Sequence, residues 1–277
     1  MARTKKTPPA GYETLAVSTR NGVAIIALNR PDLHNVFNET LIAELTEVLN
    51  VLDVDDAVRA VVLAGNGKSF CAGADLNWMK RMAGYGPAEN LADAQALALM
   101  LRTLNGLSKP TVARVQGAAF GGGVGLTACC DIAIAAIEAT FSLSEAKLGL
   151  IPATISPYVI EAIGARQARR YFLTGERFDA AEAYRIGLVH DIVPIADLDD
   201  RVNEILGALM LAGPRAQLEC KALIRGVAHR PIDAAVIAGT AEHIAAVRAS
   251  PEGKEGVAAF LDKRPAAWVP PELIAKK

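Results

Sequence analysis

Three stretches of the sequence combine residue types that could stabilise and move charge in an acyl group. The first is the run Phe120-Gly-Gly-Gly-Val-Gly-Leu126, which follows a predicted strand and opens a predicted helix. The N–H groups at the start of a helix lack partners within it, and the helix dipole makes this end positive. The run therefore predicts a site for an anion or for a developing oxyanion.

The glycine run does not match the common phosphate-binding patterns. It lacks GxxxxGK[ST], and its glycines at 121, 122, 123 and 125 do not fit GxGxxG. An oxyanion hole is therefore the functional interpretation of the run. The alternative is that its glycines only allow a strand and a helix to pack closely.

A second junction of the same kind is Phe70-Cys-Ala-Gly-Ala-Asp75. It also follows a predicted strand, and Asp75 is a favourable N-cap for the helix-like residues after it. Two such junctions could each provide one N–H to the same carbonyl oxygen. The loss of one donor from such a pair typically costs about 2.7–4 kcal/mol of transition-state stabilisation.

Glu145 is the candidate acid or base beside these donors. It lies in the otherwise apolar stretch Phe141–Pro152, where burial would raise the pKa of an isolated carboxyl group. A raised pKa suits general acid–base catalysis. The alternative is an exposed Glu145 that pairs with Lys147 or Arg166.

The composition favours an α/β protein with an aliphatic core. Among 277 residues, 52% are hydrophobic but only 5% are aromatic. The 29 basic and 30 acidic residues give a net charge of −1, which provides no broad field to attract nucleic acid or a membrane surface. The four cysteines lack metal-ligand spacing, so we predict no metal site.

The ends and the hydropathy of the chain predict a cytoplasmic location. The first nine residues are polar and lack the apolar core of a signal peptide. No uncharged apolar run reaches the roughly 18 residues that span a bilayer.

The pattern of elements predicts strands alternating with helices, followed by helices alone. Asn21-Gly22 between two β-rich runs predicts a hairpin, and Asn38 is the expected N-cap of an amphipathic helix. Further strands are expected at 59–64, 111–116 and 131–136, and a long helix at 88–107. The last part should be helical at 198–211, 214–228, 232–248 and 252–262. We therefore expect a core at 1–197 and a helical oligomerisation region at 198–277.

Taken together, these stretches resemble the crotonase (enoyl-CoA hydratase/isomerase) superfamily from about Tyr12 to Trp268. The resemblance implies an α/β fold, a spiral of ββα units with a C-terminal α-helical trimerisation region, assembled as a homotrimer or as a hexamer made of two trimers. It also implies an acyl-CoA substrate, with coenzyme A as part of the substrate and no further cofactor. The matching segments are Leu28-Asn-Arg-Pro31, Phe70–Asp75, Gly117–Gly123, Asp131, Glu145–Pro152, Leu173-Thr-Gly175, Ala180–Ala183, Gly187-Leu-Val189 and Phe260–Lys263.

The resemblance also assigns roles to individual residues. The N–H groups of Ala74 and Gly122 would form the oxyanion hole, and Glu145 would be the catalytic carboxylate. Coenzyme A would be contacted by Leu33, His34, Ala72, Asp75 and Leu76, and at the C-terminal end by Phe260 and Lys263. Hydratases with two glutamates carry one of them where this chain has Gly125, so Gly125 would line the substrate site in its place.

Because one glutamate is absent, the resemblance leaves two reactions open. The leading hypothesis is hydration of a 2-enoyl-CoA, and the alternative is Δ3,Δ2-enoyl-CoA isomerisation by Glu145 alone. The segments 73–82, 118–126 and 151–159 resemble bacterial methylglutaconyl-CoA and isohexenylglutaconyl-CoA hydratases, which suggests a branched substrate from leucine or acyclic-terpene breakdown. An RNA-binding role is a third hypothesis. It would use the basic clusters Arg3, Lys5, Lys6 and Lys80, Arg81, but the balanced charge argues against it.

Overall fold

The computed structural model describes residues 11–274 and begins with the predicted hairpin. Its strands β1 (Leu15–Arg20) and β2 (Val23–Leu28) are antiparallel, with Arg20 opposite Val23. Asn21 and Gly22 form the two-residue turn with φ of 50° and 78°, as a type I′ turn requires. The hairpin prediction is confirmed. The basic cluster Arg3, Lys5 and Lys6 lies outside the described residues.

The remaining strands are short and mostly parallel. They are β3 (Ala60–Gly65), β4 (Thr111–Val115), β5 (Ala118–Phe120), β6 (Ile132–Ala136), β7 (Thr140–Ser142), β8 (Arg177–Asp179) and β9 (Asp191–Val193). One sheet has the order β1-β2-β3-β4-β6-β9 and is parallel from β2 onward. A smaller sheet has the order β5-β7-β8, in which β5 and β7 are parallel.

Helices form most of the connections between strands and most of the C-terminal part of the chain. They are α1 (Glu39–Asp53), α2 (Leu76–Met82), α3 (Pro87–Gly106), α4 (Gly122–Cys129), α5 (Ser156–Thr174), α6 (Ala180–Arg185), α7 (Leu198–Leu211), α8 (Pro214–Val227), α9 (Ala234–Ala249), α10 (Pro251–Leu261) and α11 (Pro271–Ile274). The predicted α/β class and the predicted C-terminal helices are confirmed.

Local sequence explains the elements that surround the site. The Asn38 side chain accepts a hydrogen bond from the Leu41 N–H at 2.9 Å and so caps α1. Leu41, Leu45 and Leu49 are fully buried, and α1 packs against α3. Every residue of β3 is buried, as expected for a strand with both faces covered.

The described residues divide into two compact units. The first contains residues up to 107 together with 111–202, and the second contains 108–110 together with the residues from 203 on. The division falls inside α7, close to the predicted boundary between residues 197 and 198. The functional roles assigned to the two regions remain predictions. In the described part of the chain, no helix is long and apolar enough to cross a membrane.

Candidate active site

The backbone around Gly73 directs the N–H of Ala74 away from the neighbouring segment at Phe37. Ala74 is bridged to Phe37: the Phe37 N–H donates to the Gly73 carbonyl at 2.7 Å, and the Asp75 N–H donates to the Phe37 carbonyl at 2.8 Å. In a β-bridge of this kind, the N–H of the central residue points the opposite way. The Ala74 N–H therefore faces the side on which Cys71 pairs with Ala119 of β5.

Gly73 makes this arrangement possible because it adopts φ of 102°, a conformation that only glycine adopts readily. The Ala72 N–H donates to the carbonyl of His34 at 3.0 Å, on the same side as Phe37. In a regular strand, the Gly73 carbonyl would point to the side opposite the Ala72 N–H. The positive φ of Gly73 instead directs its carbonyl toward Phe37 and leaves the Ala74 N–H directed toward the end of β5.

The second predicted donor starts where β5 ends. Gly121 has φ of 50° and ψ of −114°, and its N–H donates to the Ser142 carbonyl at 2.8 Å. Gly122 is the first residue of α4, so its N–H lies at the positive end of that helix. Among the described residues, none accepts a hydrogen bond from the N–H of Ala74 or Gly122. Both groups are available to a ligand.

Glu145 lies directly against this helix start. It belongs to a short 3-10 segment, Ser144–Leu148, and its Oε1 is 3.1 Å from the position that a Cβ on Gly121 would occupy. Its Oε2 is buried and has no hydrogen-bond partner among the described residues. Burial raises the pKa of this carboxyl group above its ordinary value of 4.5, and a backbone hydrogen bond opposes the rise. Within the described chain, Glu145 forms no ion pair with Lys147 or Arg166.

The other two glycines of the run serve packing. A Cβ on Gly123 would overlap the carbonyl oxygen of Cys71, and a Cβ on Gly125 would lie 2.9 Å from Cβ of Ile155. Both contacts are too close for a side chain. Close packing therefore accounts for Gly123 and Gly125, and it also applies to Gly122, where a Cβ would meet the Phe37 ring. The oxyanion hole at Gly122 remains a prediction. Gly125 is buried under Ile155, and its contact with substrate remains a prediction.

The Asp75 carboxylate is used inside the protein. It accepts hydrogen bonds from the N–H groups of Asn77 and Trp78 at 2.7 and 3.2 Å, which caps α2, and it pairs with Arg30 at 2.7 Å. Burial opposes ionisation, but the Arg30 and backbone hydrogen bonds outweigh it and hold the pKa of Asp75 below its usual value. Asp75 thus fixes the segment that carries the Ala74 N–H.

The residues predicted to contact coenzyme A around this segment form an open surface. Leu33, His34 and Leu76 are exposed, Leu76 by 73%. The His34 ring lies 3.0 Å from the Ser69 hydroxyl and its carbonyl holds Ala72. Leu33, His34 and Ala72 therefore lie on one patch beside Ala74, whereas Asp75 is buried. The contact of these residues with coenzyme A remains a prediction.

The C-terminal pair belongs to the second unit. Phe260 is the penultimate residue of α10 and is 82% exposed, and Lys263 follows the helix with φ of 54°. Their contact with coenzyme A remains a prediction.

Of the second basic cluster, Lys80 and Arg81, Arg81 donates hydrogen bonds to both carboxylate oxygens of Glu39 at 2.6 and 2.7 Å.

A thiol or metal centre is not evident in the same place. Burial raises the pKa of Cys71 to about 12, so its thiolate is not formed near neutral pH. No group of three or more His, Cys, Asp or Glu among residues 11–274 is arranged to hold a metal ion.

Two unpartnered backbone N–H groups, each just before or at the start of a helix, and one half-buried carboxyl group form an arrangement suited to acyl transfer or enolate chemistry. The enoyl-CoA hydratase/isomerase family model matches residues 18–270. The chain belongs to this family, and the predicted crotonase-like fold is confirmed.

Several relatives match almost the whole chain. A crotonyl-CoA hydratase of Syntrophomonas wolfei is 32% identical, over 93% of this chain and 98% of its own. The crystal structure of an enoyl-CoA hydratase from Shewanella pealeana is 45% identical with a TM-score of 0.91, covering 93% of this chain and 96% of that one. Pseudomonas aeruginosa AtuE is 38% identical with a TM-score of 0.89, covering 93% and 100%.

Sequence reasoning missed three residues that shape the site. Arg30 pairs with Asp75, Phe37 contacts both donor segments, and Ile155 covers Gly125. Arg30 and Ile155 lie in segments already singled out for their resemblance to the family, so those segments carried a signal. Phe37 carried none, since an apolar residue before a helix is expected in any core.

Proposed function

We propose that this protein hydrates the double bond of a 2-enoyl-CoA. The observation that carries the proposal is the Glu145 carboxyl group, half-buried, with an unpartnered oxygen, against the glycine that precedes the Gly122 donor. A base with a raised pKa next to two free N–H groups can activate water and stabilise the enolate in one step. Relatives named as enoyl-CoA and crotonyl-CoA hydratases support it.

In this mechanism the thioester carbonyl accepts hydrogen bonds from Ala74 and Gly122. Glu145 takes a proton from water as the water oxygen bonds to C3, and the C2–C3 π electrons move to form the enolate. The protonated Glu145 then gives that proton to C2, which restores the thioester and the carboxylate. Coenzyme A belongs to the substrate, and the mechanism needs no metal or redox cofactor.

The substrate that we propose within this class is 3-methylglutaconyl-CoA or a related branched thioester from leucine or acyclic-terpene breakdown. Its support is the resemblance of segments 73–82, 118–126 and 151–159 to bacterial hydratases of this type. A free carboxylate at the far end of such a substrate needs a cation. Lys80 is exposed at the end of α2, whereas Arg81 is already paired with Glu39.

The test is a comparison of hydration rates on 3-methylglutaconyl-CoA and crotonyl-CoA. We expect the wild type to hydrate both and to favour the branched diacid in kcat/KM. Glu145→Gln should lower kcat by about 10²- to 10⁴-fold on each, as expected for loss of a general base. Equal rates for the wild type and Glu145→Gln would remove Glu145 from the mechanism, and a preference for crotonyl-CoA would remove the branched substrate.

Isomerisation is the second candidate, because Gly125 stands where hydratases with two glutamates carry one of them, and Ile155 fills the space over it. Glu145 would then act without a second catalytic carboxylate. Glu145 would move a proton from C2 of a 3-enoyl-CoA to C4. With 3-hexenoyl-CoA as substrate, an isomerase gives 2-hexenoyl-CoA and no hydroxyacyl product. A hydratase leaves 3-hexenoyl-CoA unchanged and converts 2-hexenoyl-CoA to the 3-hydroxyacyl thioester.

A further inference from the structure

Phe37 is one residue that contacts both segments carrying the candidate donors. It lies between β2 and α1, one residue before the N-cap of α1, and is only 2% exposed. Its backbone holds one segment and its ring supports the other. Sequence reasoning gave it no role.

The backbone of Phe37 fixes the direction of the Ala74 N–H. Its N–H and carbonyl bond to Gly73 and Asp75, at 2.7 and 2.8 Å, on either side of Ala74. Because both bonds come from one residue of the neighbouring segment, Ala74 cannot rotate without breaking one of them. The donor therefore keeps its orientation as long as Phe37 keeps its place.

The ring of Phe37 supports the start of α4. A Cβ on Gly122 would lie 2.8 Å from Cδ2 and 3.4 Å from Cζ of this ring, so the Gly122 backbone rests on it without room for a side chain. The ring is enclosed by the core and cannot move aside, because interiors are close-packed. The face of the Phe37 ring thus determines the position of the Gly122 N–H.

We propose that Phe37 is a positioning residue that sets the separation of the two oxyanion-hole donors. The inference rests on the proposed function, in which Ala74 and Gly122 polarise a thioester carbonyl. A donor displaced by about 1 Å can cost on the order of 10²-fold in rate. Among the described residues, Phe37 forms no hydrogen bond with Leu33, Leu76 or the Glu145 carboxyl group.

The experiment shortens the Phe37 side chain and leaves its backbone hydrogen bonds to Gly73 and Asp75 in place. Phe37→Ala is expected to lower kcat on crotonyl-CoA by about 10- to 100-fold with little change in KM, and Phe37→Leu by less. The matched controls are Phe178→Ala and Phe178→Leu. Phe178 is another buried ring, 7% exposed, which packs on Phe141 and Tyr171. The controls should lower the unfolding temperature similarly and leave kcat unchanged.

A spectroscopic readout separates positioning from general destabilisation. Crotonyl-CoA labelled with ¹³C at the thioester carbonyl is bound to each variant in a Glu145→Gln background, and the infrared carbonyl stretch is recorded. Hydrogen bonds from both donors should lower this frequency in the parent protein. The lowering should persist in the Phe178 variants and shrink in the order Phe37→Leu, then Phe37→Ala.

The outcomes distinguish this role from the proposed function itself. A parent-like frequency in both Phe37 variants, or in Phe37→Leu if Phe37→Ala does not fold, would overturn the positioning role alone. No lowering of the frequency in the parent protein would overturn the oxyanion hole and the role of Phe37 with it. An equal loss in the Phe178 variants would reduce Phe37 to an ordinary core residue.

Discussion

At the scale of single residues, the proposed chemistry depends on the environment of Glu145. Its carboxyl group is half-buried, Oε2 lacks a partner among the described residues, and burial raises its pKa. A carboxylate in this state is costly to the folded protein but useful as a base. The sequence indicated the raised pKa from the apolar stretch around Glu145, and this expectation is confirmed.

The first prediction concerns the pH dependence of catalysis. Since Glu145 must be ionised to activate water, kcat/KM for crotonyl-CoA should fall as pH drops through its raised pKa. The midpoint of this acid limb should lie above 4.5, the ordinary pKa of a glutamate. A stopped assay across pH 4–9 measures it, with denaturation checked at each pH. A midpoint at or below 4.5 would contradict the placement of Glu145.

The second prediction concerns stability at the same residue. A carboxyl group whose pKa is raised on folding stabilises the protein only below its unfolded pKa and loses that contribution as pH rises through its folded pKa. Glu145→Gln should therefore unfold at a higher temperature than the wild type near neutral pH. The difference should vanish toward pH 4. Thermal unfolding followed by circular dichroism tests this, and a less stable Glu145→Gln at pH 7 would argue against an uncompensated carboxylate.

The third prediction concerns the glycine that provides a donor. Gly122→Ala places a Cβ against the Phe37 ring, so the start of α4 must shift, and kcat should fall by about 10- to 100-fold. Gly106→Ala is the matched control, because a Cβ there meets no atom within 4 Å. The control should retain full activity and gain about 0.5–1 kcal/mol in stability. Full activity in Gly122→Ala would contradict the expectation that catalysis depends on where the Phe37 ring holds the start of α4.

At the scale of elements, the candidate site lies where β5 meets the start of α4 and where the bridged segment 71–74 meets the start of α2. The sequence predicted both junctions from glycines and an N-cap, because those features are local. It could not predict that Arg30 pairs with Asp75 or that Ile155 lies over Gly125, because both contacts join residues distant in the chain. The short strands β5, β7, β8 and β9 were missed for a related reason: three residues are too few for a recognisable alternation.

The fourth prediction concerns packing between α4 and the segment before α5. Gly125→Ala should cost about 1–3 kcal/mol because its Cβ would overlap Ile155. Ile155→Ala should cost about 2–5 kcal/mol by leaving a cavity. In the double variant the new methyl group enters that cavity, so the combined cost should be smaller than the sum. Urea unfolding of the four proteins measures the coupling, and strict additivity would contradict the contact.

At the scale of the whole molecule, the α/β class, the hairpin and the C-terminal helices were predictable from periodicity and caps. The crotonase-like fold came from the resemblance of several motifs and is confirmed by the family match. The residue-level roles came from the same resemblance and remain predictions. In the structure Glu145 lies against Gly121 at the start of α4, and Gly73, next to Ala74, lies against the end of β5. The assembly state depends on surfaces between chains, so it remains a prediction.

The fifth prediction is that the protein forms a trimer or a hexamer of this chain. The C-terminal helices expose large apolar side chains, including Ile224 at 61% and Ile237 at 59%, and such surfaces mark contacts with another molecule. Light scattering at micromolar concentration should give three or six times the chain mass. Ile237→Asp should lower this mass, while Leu91→Asp, equally exposed on α3, should not. A monomeric wild type would contradict the prediction.

The most direct test of the central claim follows oxygen from water into product. Wild-type protein and Glu145→Gln are incubated with crotonyl-CoA in water enriched in ¹⁸O, and the acyl product is analysed by mass spectrometry. We expect one ¹⁸O atom in a 3-hydroxybutyryl-CoA product from the wild type. Glu145→Gln should form this product about 10²- to 10⁴-fold more slowly. A wild type that incorporates no ¹⁸O, or a variant that incorporates it equally fast, would contradict hydration by Glu145.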